Sequence, residues 1–173
     1  MNTRAPQTPR TLNAVMVVPG IMGSELVDTN GDVAWGLKPS LLAKAWATRR
    51  LSALIPTDEE LDGTPRLRPT RLLRDAGWLP ILGGLEPYTT FLEHARQTTR
   101  DERAVEEFPY DWRLPFTHNG PLLVSAAESH LRRWQDIVRS EKLGNPDDVK
   151  LVIVAHSMGG LIVQKLLERG VGR

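Results

Sequence analysis

The sequence predicts an α/β protein built on a mostly parallel sheet. Three observations carry this. Ala14–Val18 and Leu151–Ala155 are continuous apolar runs rich in β-branched residues, the pattern of strands covered on both faces. A long segment with one apolar face precedes the second run, and an apolar helical segment follows it. The resulting order of strand, long insertion, strand, helix, strand, helix is the alternation that right-handed crossovers produce in a parallel sheet.

The elements follow in chain order. Residues 1–12 are polar and carry two prolines, so they read as a lead-in. The strand Ala14–Val18 is closed by Pro19-Gly20. Residues 28–103 form a long insertion with Trp35, Trp46 and Trp78 and frequent Pro and Gly. Within it Pro39-Ser40 is placed to start a short helix to about residue 48. Pro87 is placed to start another, with Tyr88, Phe91, Leu92 and Ala95 on one face. The rest of the insertion reads as turns. Stretches this long are usually lids or binding loops. A weaker strand is expected over residues 104–108. Asn119-Gly120-Pro121 then opens a helix to about residue 142, with Leu123, Ala127, Leu131, Trp134 and Val138 on one face, and Gly144-Asn145-Pro146 ends it. After the strand Leu151–Ala155, a helix is expected from residue 159 to about 169.

The 173 residues suit one domain or part of one. A formal charge of +1 gives no electrostatic reason to expect nucleic acid. The chain has no cysteine, which excludes disulfides, a thiolate metal site and a cysteine nucleophile. No segment approaches the ~18 consecutive apolar residues of a membrane-spanning helix. The first apolar run is too short for a signal-peptide core, so the expected compartment is cytoplasmic, with peripheral membrane contact left open. No cofactor and no metal site are expected.

Ala155-His156-Ser157-Met158-Gly159-Gly160 lies between the second strand and an apolar helix. That is the setting of a nucleophile elbow, where the usual pattern is G-x-S-x-G and a sharp turn lifts the serine hydroxyl out of the sheet. Ala155 replaces the first glycine, and small size is all that position needs. Ser157 is the candidate nucleophile. The helix N-terminus beneath it supplies partial positive charge, and the Met158 N–H can face an oxyanion. His156, next to the serine, should point elsewhere and is a poor candidate for the base.

The segment Pro19-Gly20-Ile21-Met22-Gly23 follows the first strand, where α/β-hydrolases carry the second oxyanion donor. Ile21 is the chosen N–H donor and Met22 the alternative. Phe108-Pro109-Tyr110-Asp111-Trp112-Arg113 is a dense aromatic and charged run. Asp111 and Arg113 could pair, and a structural role for them is favoured. The aromatics either line a pocket or fill a corner.

Three segments together resemble the lecithin:cholesterol acyltransferase family: residues 18–26 (Val-Pro-Gly-Ile-Met-Gly-Ser-Glu-Leu), residues 108–113, and residues 155–161. The middle one is the most specific. The resemblance extends over nearly the whole chain from about residue 14, and is closest to the bacterial, lipase-like members. It implies an α/β-hydrolase fold and a serine acyl-enzyme that passes acyl groups from lipid esters to an alcohol or to water. By position it gives Ser157 the nucleophile role and Ile21 and Met158 the oxyanion N–H groups. It places residues 28–103 where the family carries lid and lipid-binding elements.

The chain departs from the family after the serine. Triad order in this fold is Ser, then Asp or Glu, then His. Residues 158–173 contain no histidine and no aspartate, and their one acid is Glu168. His94, His118, His130 and His156 all precede Ser157. The strand at 151–155 is also expected to form an apolar edge, an aggregation liability. The expected architecture is therefore an α/β-hydrolase fold truncated after the nucleophile-elbow helix. Residues 1–173 form the N-terminal part of a single domain, completed by a missing C-terminal half or a complementing chain. The competing expectation is a non-catalytic module that binds a lipid or a partner. Phosphate binding at Gly159-Gly160 is set aside because Leu161 follows where a phosphate loop has lysine.

Overall fold

The computed structural model describes residues 10–36, 54–74 and 88–168. Trp46, Trp78 and the helix expected after Pro39 lie outside the described residues.

Strand β1 (Ala14–Val18) is the centre of a three-stranded parallel sheet, with β5 (Val105–Glu107) on one side and β6 (Leu151–Ala155) on the other. Every residue of β1 is buried, as its continuous apolar run requires. Met16 and Val18 pack against Leu123, Ala127 and Ile162 on one face. Val15 and Val17 pack against Leu72 and Leu92 on the other. Burial of such side chains contributes about 1.5–3 kcal/mol each. Strand β5 is shorter than expected. A turn of 3-10 helix takes up Glu102–Ala104, and Phe108 follows the strand with its N–H bonded to the Val17 carbonyl.

Two helices cover the Met16 face. The first is α3 (Phe116–Ser140) and the second α4 (Met158–Glu168). Helix α3 starts before the expected Asn119-Gly120-Pro121 signal. The Asn119 amide turns inward, donating to the carbonyls of Asp111 and Leu114, so it fastens the preceding turn instead of opening a helix. Pro121 sits inside the helix and donates no backbone bond, a local loss outweighed by the buried face of Leu123, Ala127, Trp134 and Val138. Leu131 packs half-buried against the cluster of Trp134 and Val138, and the face also takes in His130. His130 is buried, with its ring nitrogens 3.0 Å from the Ala104 carbonyl and 3.0 Å from the Glu106 carboxylate.

The opposite face carries α2 (Thr89–Thr98), close to the helix expected after Pro87. Leu92 is its buried residue, while Phe91 is exposed. This helix covers β1 but leaves part of β6 open. Val152 and Val154 pair in register with Val15 and Val17, so they share that face, yet they are 40% and 37% exposed. The expectation that Leu151–Ala155 is covered on both faces is therefore corrected: it alternates half-buried and exposed. Among the described residues, strand β6 is also one edge of this sheet, β5 being the other.

A second sheet, antiparallel, departs from the expected mostly parallel architecture. Its order is β3 (Val33–Trp35), β2 (Ser24–Asp28), β4 (Leu67–Leu72). The β2–β3 hairpin turns at Asn30-Gly31, with Gly31 at φ 85° and the Asp28 carboxylate accepting from the N–H groups of Asn30 and Asp32. Part of the insertion thus builds a sheet against the core: Leu72 of β4 packs on Val15 and Val17. A short helix α1 (Asp58–Leu61) precedes β4, started by a capping box between Thr57 and Glu60. Among the described residues, no helix is long and apolar enough to cross a membrane.

Candidate active site

Ser157 lies at the turn between β6 and α4 with φ 48°. A non-glycine residue in this left-handed region costs roughly 1–2 kcal/mol, so the surrounding bonds must hold it. The His156 N–H continues the ladder to the Val18 carbonyl at 3.0 Å. Gly159 N–H donates to the His156 carbonyl and Gly160 N–H to that of Ser157, both at 2.9 Å. The serine itself is exposed. The strand–turn–helix geometry expected from the motif is present.

Gly159 explains why a small residue is needed two positions after the serine. A Cβ there would stand 2.4 Å from the Pro19 carbonyl oxygen and 2.9 Å from that of Val18. Gly20 meets the elbow from the other side. A Cβ on Gly20 would lie 3.0 Å from His156 Nδ1 and 3.2 Å from Ser157 Cβ. The loop after β1 is thereby brought against Ser157, as the sequence reading required.

That loop is a tight turn closed by Gly23 N–H to the Gly20 carbonyl at 3.1 Å. Met22 has φ 61° and Ile21 does not have positive φ, the pattern of a type II turn, which normally takes glycine at the Met22 position. The Met22 carbonyl accepts from Trp35 Nε1 at 2.9 Å, which anchors this tryptophan to the loop. Trp35 also meets Trp112 edge to face. Among the described residues, the N–H groups of Ile21 and Met158 donate no hydrogen bond, and neither does that of Met22. Both chosen oxyanion donors are thus uncommitted.

Among the described residues, no base stands with them. Among the described residues, the Ser157 hydroxyl has no hydrogen-bond partner. His156 Nδ1 is 2.9 Å from the Tyr88 hydroxyl, so the ring does point elsewhere. His130 is committed to Ala104 and Glu106. His94 is exposed on α2, and His118 sits in α3 beside Asp111 and Asn119. A mostly apolar cleft of about 240 Å³ lies next to the elbow, between Tyr88 and Phe91 on one side and Val17, Val154 and His156 on the other. Among the described residues, no group of three His, Asp or Glu side chains is placed to hold a metal ion.

Asp111 and Arg113 do pair, in a buried network. Arg113 Nη2 bonds Asp111 at 2.7 Å and Glu60 at 2.6 Å, and all three side chains are at most 4% exposed. Burial alone would raise the Glu60 carboxyl, but hydrogen bonds from Arg113, the Thr57 N–H and Arg66 bring it down to about 2. Arg113 is pushed further up, against its own burial, by Asp111 and Glu60. The network fastens α1 to the turn after β5, which is the structural role favoured from sequence. Glu60 was not foreseen in it. Its capping-box spacing with Thr57 was visible, but nothing local pointed to Arg113.

Tyr110 and Tyr88 also contact the loop after β1, pairings that sequence reading left unassigned. The Tyr110 hydroxyl donates to the Pro19 carbonyl at 3.0 Å, and the Tyr88 hydroxyl accepts from Gly20 N–H at 2.8 Å. Comparison of the chain with known protein families, curated proteins and solved structures returns no match.

Proposed function

We propose that this chain carries the nucleophile and the oxyanion donors of a serine acyl-transfer site of α/β-hydrolase type. It acts on lipid esters as an O-acyltransferase or a lipase/esterase, in line with its resemblance to the lecithin:cholesterol acyltransferase family. The observation that carries this reading is Ser157 at φ 48° on a strand-to-helix turn, with Gly20 packed against its Cβ and the Ile21 and Met158 N–H groups uncommitted. In the reaction, Ser157 Oγ attacks the ester carbonyl carbon. The two N–H groups take the negative charge that builds on the carbonyl oxygen, the interaction that usually contributes most to such catalysis. The alcohol leaves, and water or a second alcohol releases the acyl group. The apolar cleft beside Tyr88 and Phe91 supports a lipid acyl chain as substrate.

The proton of Ser157 must pass to a base, and a serine hydroxyl is weak without one. This reading therefore takes the base and its orienting acid from a segment outside the described residues, whether of the same protein or of a complementing chain. The exposed Val152 and Val154 on edge strand β6 support a further element adding to the sheet there. The absence of a base beside Ser157 among the described residues favours a second reading, a non-catalytic module that binds lipid or a partner. Ester hydrolysis separates the two. Loss of triad members leaves about 10³–10⁴-fold over water in a well-studied protease. The chain alone should thus show feeble, metal-independent hydrolysis of an activated ester, abolished by Ser157→Ala, and faster by orders of magnitude once completed. Equal activity in Ser157→Ala, with vesicle binding retained, would establish the binding module instead.

A further inference from the structure

The Pro19–Gly20 peptide is held at both of its poles by tyrosine hydroxyls from distant parts of the chain. Its carbonyl oxygen accepts from Tyr110, and its N–H donates to Tyr88. A peptide unit is planar, so fixing its two poles fixes its rotation about the chain axis. The next N–H along the chain is that of Ile21. We propose that Tyr88 and Tyr110 are positioning residues that lock this peptide plane and thereby aim the Ile21 N–H at the oxyanion forming beside Ser157. The inference rests on the acyl-transfer reading given above.

Each tyrosine is itself anchored, so the grip is rigid. Tyr110 is buried, its ring is stacked on Phe108, and its N–H donates to Ser24 Oγ at 3.0 Å. Burial and the neighbouring Tyr88 push its hydroxyl pKa up, which keeps its proton available to donate. Tyr88 starts α2, and its N–H donates to the Leu73 carbonyl at 3.1 Å, while Leu73 N–H donates to the Gly23 carbonyl at 2.9 Å. Its hydroxyl also reaches His156 Nδ1 at 2.9 Å, so one oxygen joins the oxyanion loop to the residue before Ser157. Gly20 is buried, so its N–H has no solvent to turn to if Tyr88 lets go. Gly23 is close as well: a Cβ there would stand 3.0 Å from Tyr88 Cε2. Hydrogen-bond loss at either pole frees the plane to tilt, and a misplacement of about 1 Å can cost about 10²-fold in rate.

The test uses the full chain and an alkyl fluorophosphonate, with labelling at Ser157 followed by mass spectrometry. The serine oxygen bonds phosphorus as the P–F bond breaks, the serine proton goes to solvent and fluoride leaves, so the step senses oxyanion stabilisation without needing turnover. Tyr88→Phe and Tyr110→Phe should each lower the maximal labelling rate by roughly 10–100-fold, with half-saturation of the probe unchanged within about twofold. The double variant should fall by less than the product, because both hydroxyls hold one peptide. Amide exchange gives an independent readout: Gly20 should exchange faster in Tyr88→Phe while the Val15–Val18 ladder keeps its protection. Should Tyr110→Phe fail to fold, Tyr88→Phe decides alone. Wild-type labelling rates in Tyr88→Phe, with Gly20 exchange accelerated, would show that the grip does not position the donor and would overturn the inference. No labelling of wild-type Ser157 above that of the urea-unfolded chain would remove the acyl-transfer reading itself, and the inference with it.

Discussion

Replacing Gly159 with alanine puts a carbon 2.4 Å from the Pro19 carbonyl oxygen, 2.9 Å from the Val18 carbonyl oxygen and 3.0 Å from Val18 Cγ1. Two of these three neighbours are backbone, and one is held in the central strand of the sheet. No rotamer change relieves the overlap, so the elbow helix and the loop after β1 must part by at least half an ångström. Overpacking of this kind costs about 1–3 kcal/mol, and a clash with backbone belongs at the upper end. The neighbouring Gly160 is the internal control. A Cβ there meets nothing within 4 Å, and the position lies inside α4. Gly160→Ala should therefore stabilise by about 0.5–1 kcal/mol through helix propensity alone. Urea unfolding followed by circular dichroism reads both. With a slope of about 2 kcal/mol per molar, Gly159→Ala should lower the midpoint by about 1 M or more, and Gly160→Ala should raise it by about 0.3–0.5 M. Equal midpoints for the two variants would refute the reasoning, because they differ only in what their new methyl groups touch.

Further expectations concern the buried network, acid and the sheet edge. Arg113→Met leaves Glu60 and Asp111 buried without their shared cation and should destabilise by about 3–5 kcal/mol in the same urea assay. The Glu60 carboxyl is held down at about 2, so its contribution is fully present above about pH 4.5 and is lost as pH falls towards 2. That shift corresponds to about 3 kcal/mol, so the urea midpoint should drop steeply between about pH 4.5 and pH 2, and the drop should be shallower in Glu60→Gln. Asp101, held at about 2 by Arg103, adds to the loss from about pH 3.8 downwards. Val152→Lys places a charge on the exposed face of edge strand β6, and sedimentation velocity should show less self-association than in the wild-type chain.

What the sequence determined by itself was local. The apolar runs Ala14–Val18 and Leu151–Ala155 form strands because each is five successive apolar residues, three of them β-branched, which suits a sheet ladder. The turn at Ser157 was legible because small residues on either side of a serine, between a strand and a helix, leave the chain few other ways to pass. The close approach of the loop after β1 was legible from Gly20 and Gly23, although Gly20 matters for its closeness to His156 and Ser157 and not for its φ. The antiparallel sheet went unseen despite its Asn30-Gly31 turn signal. Glu25 and Asp28 in β2, and Pro69 among the polar residues of β4, break the alternation that marks a strand. Glu25 is tolerated there because Thr70 and Arg71 of the neighbouring strand bond its carboxylate.

Tertiary structure alone decided which distant groups meet. Glu60 reaches Arg113 across 53 residues, Tyr88 reaches Gly20 across 68, and Tyr110 reaches Pro19 across 91. Periodicity reports which face of an element is apolar, but not which polar atom waits on another element. Those pairings exist because a buried N–H, carbonyl or charge without a partner is costly, and the folded chain supplies partners from wherever packing brings them. The open face of β6 was settled in the same way. Its residues are as apolar as those of β1, yet among the described residues α2 packs Leu92 over Val15 and Val17 and leaves Val152 and Val154 exposed.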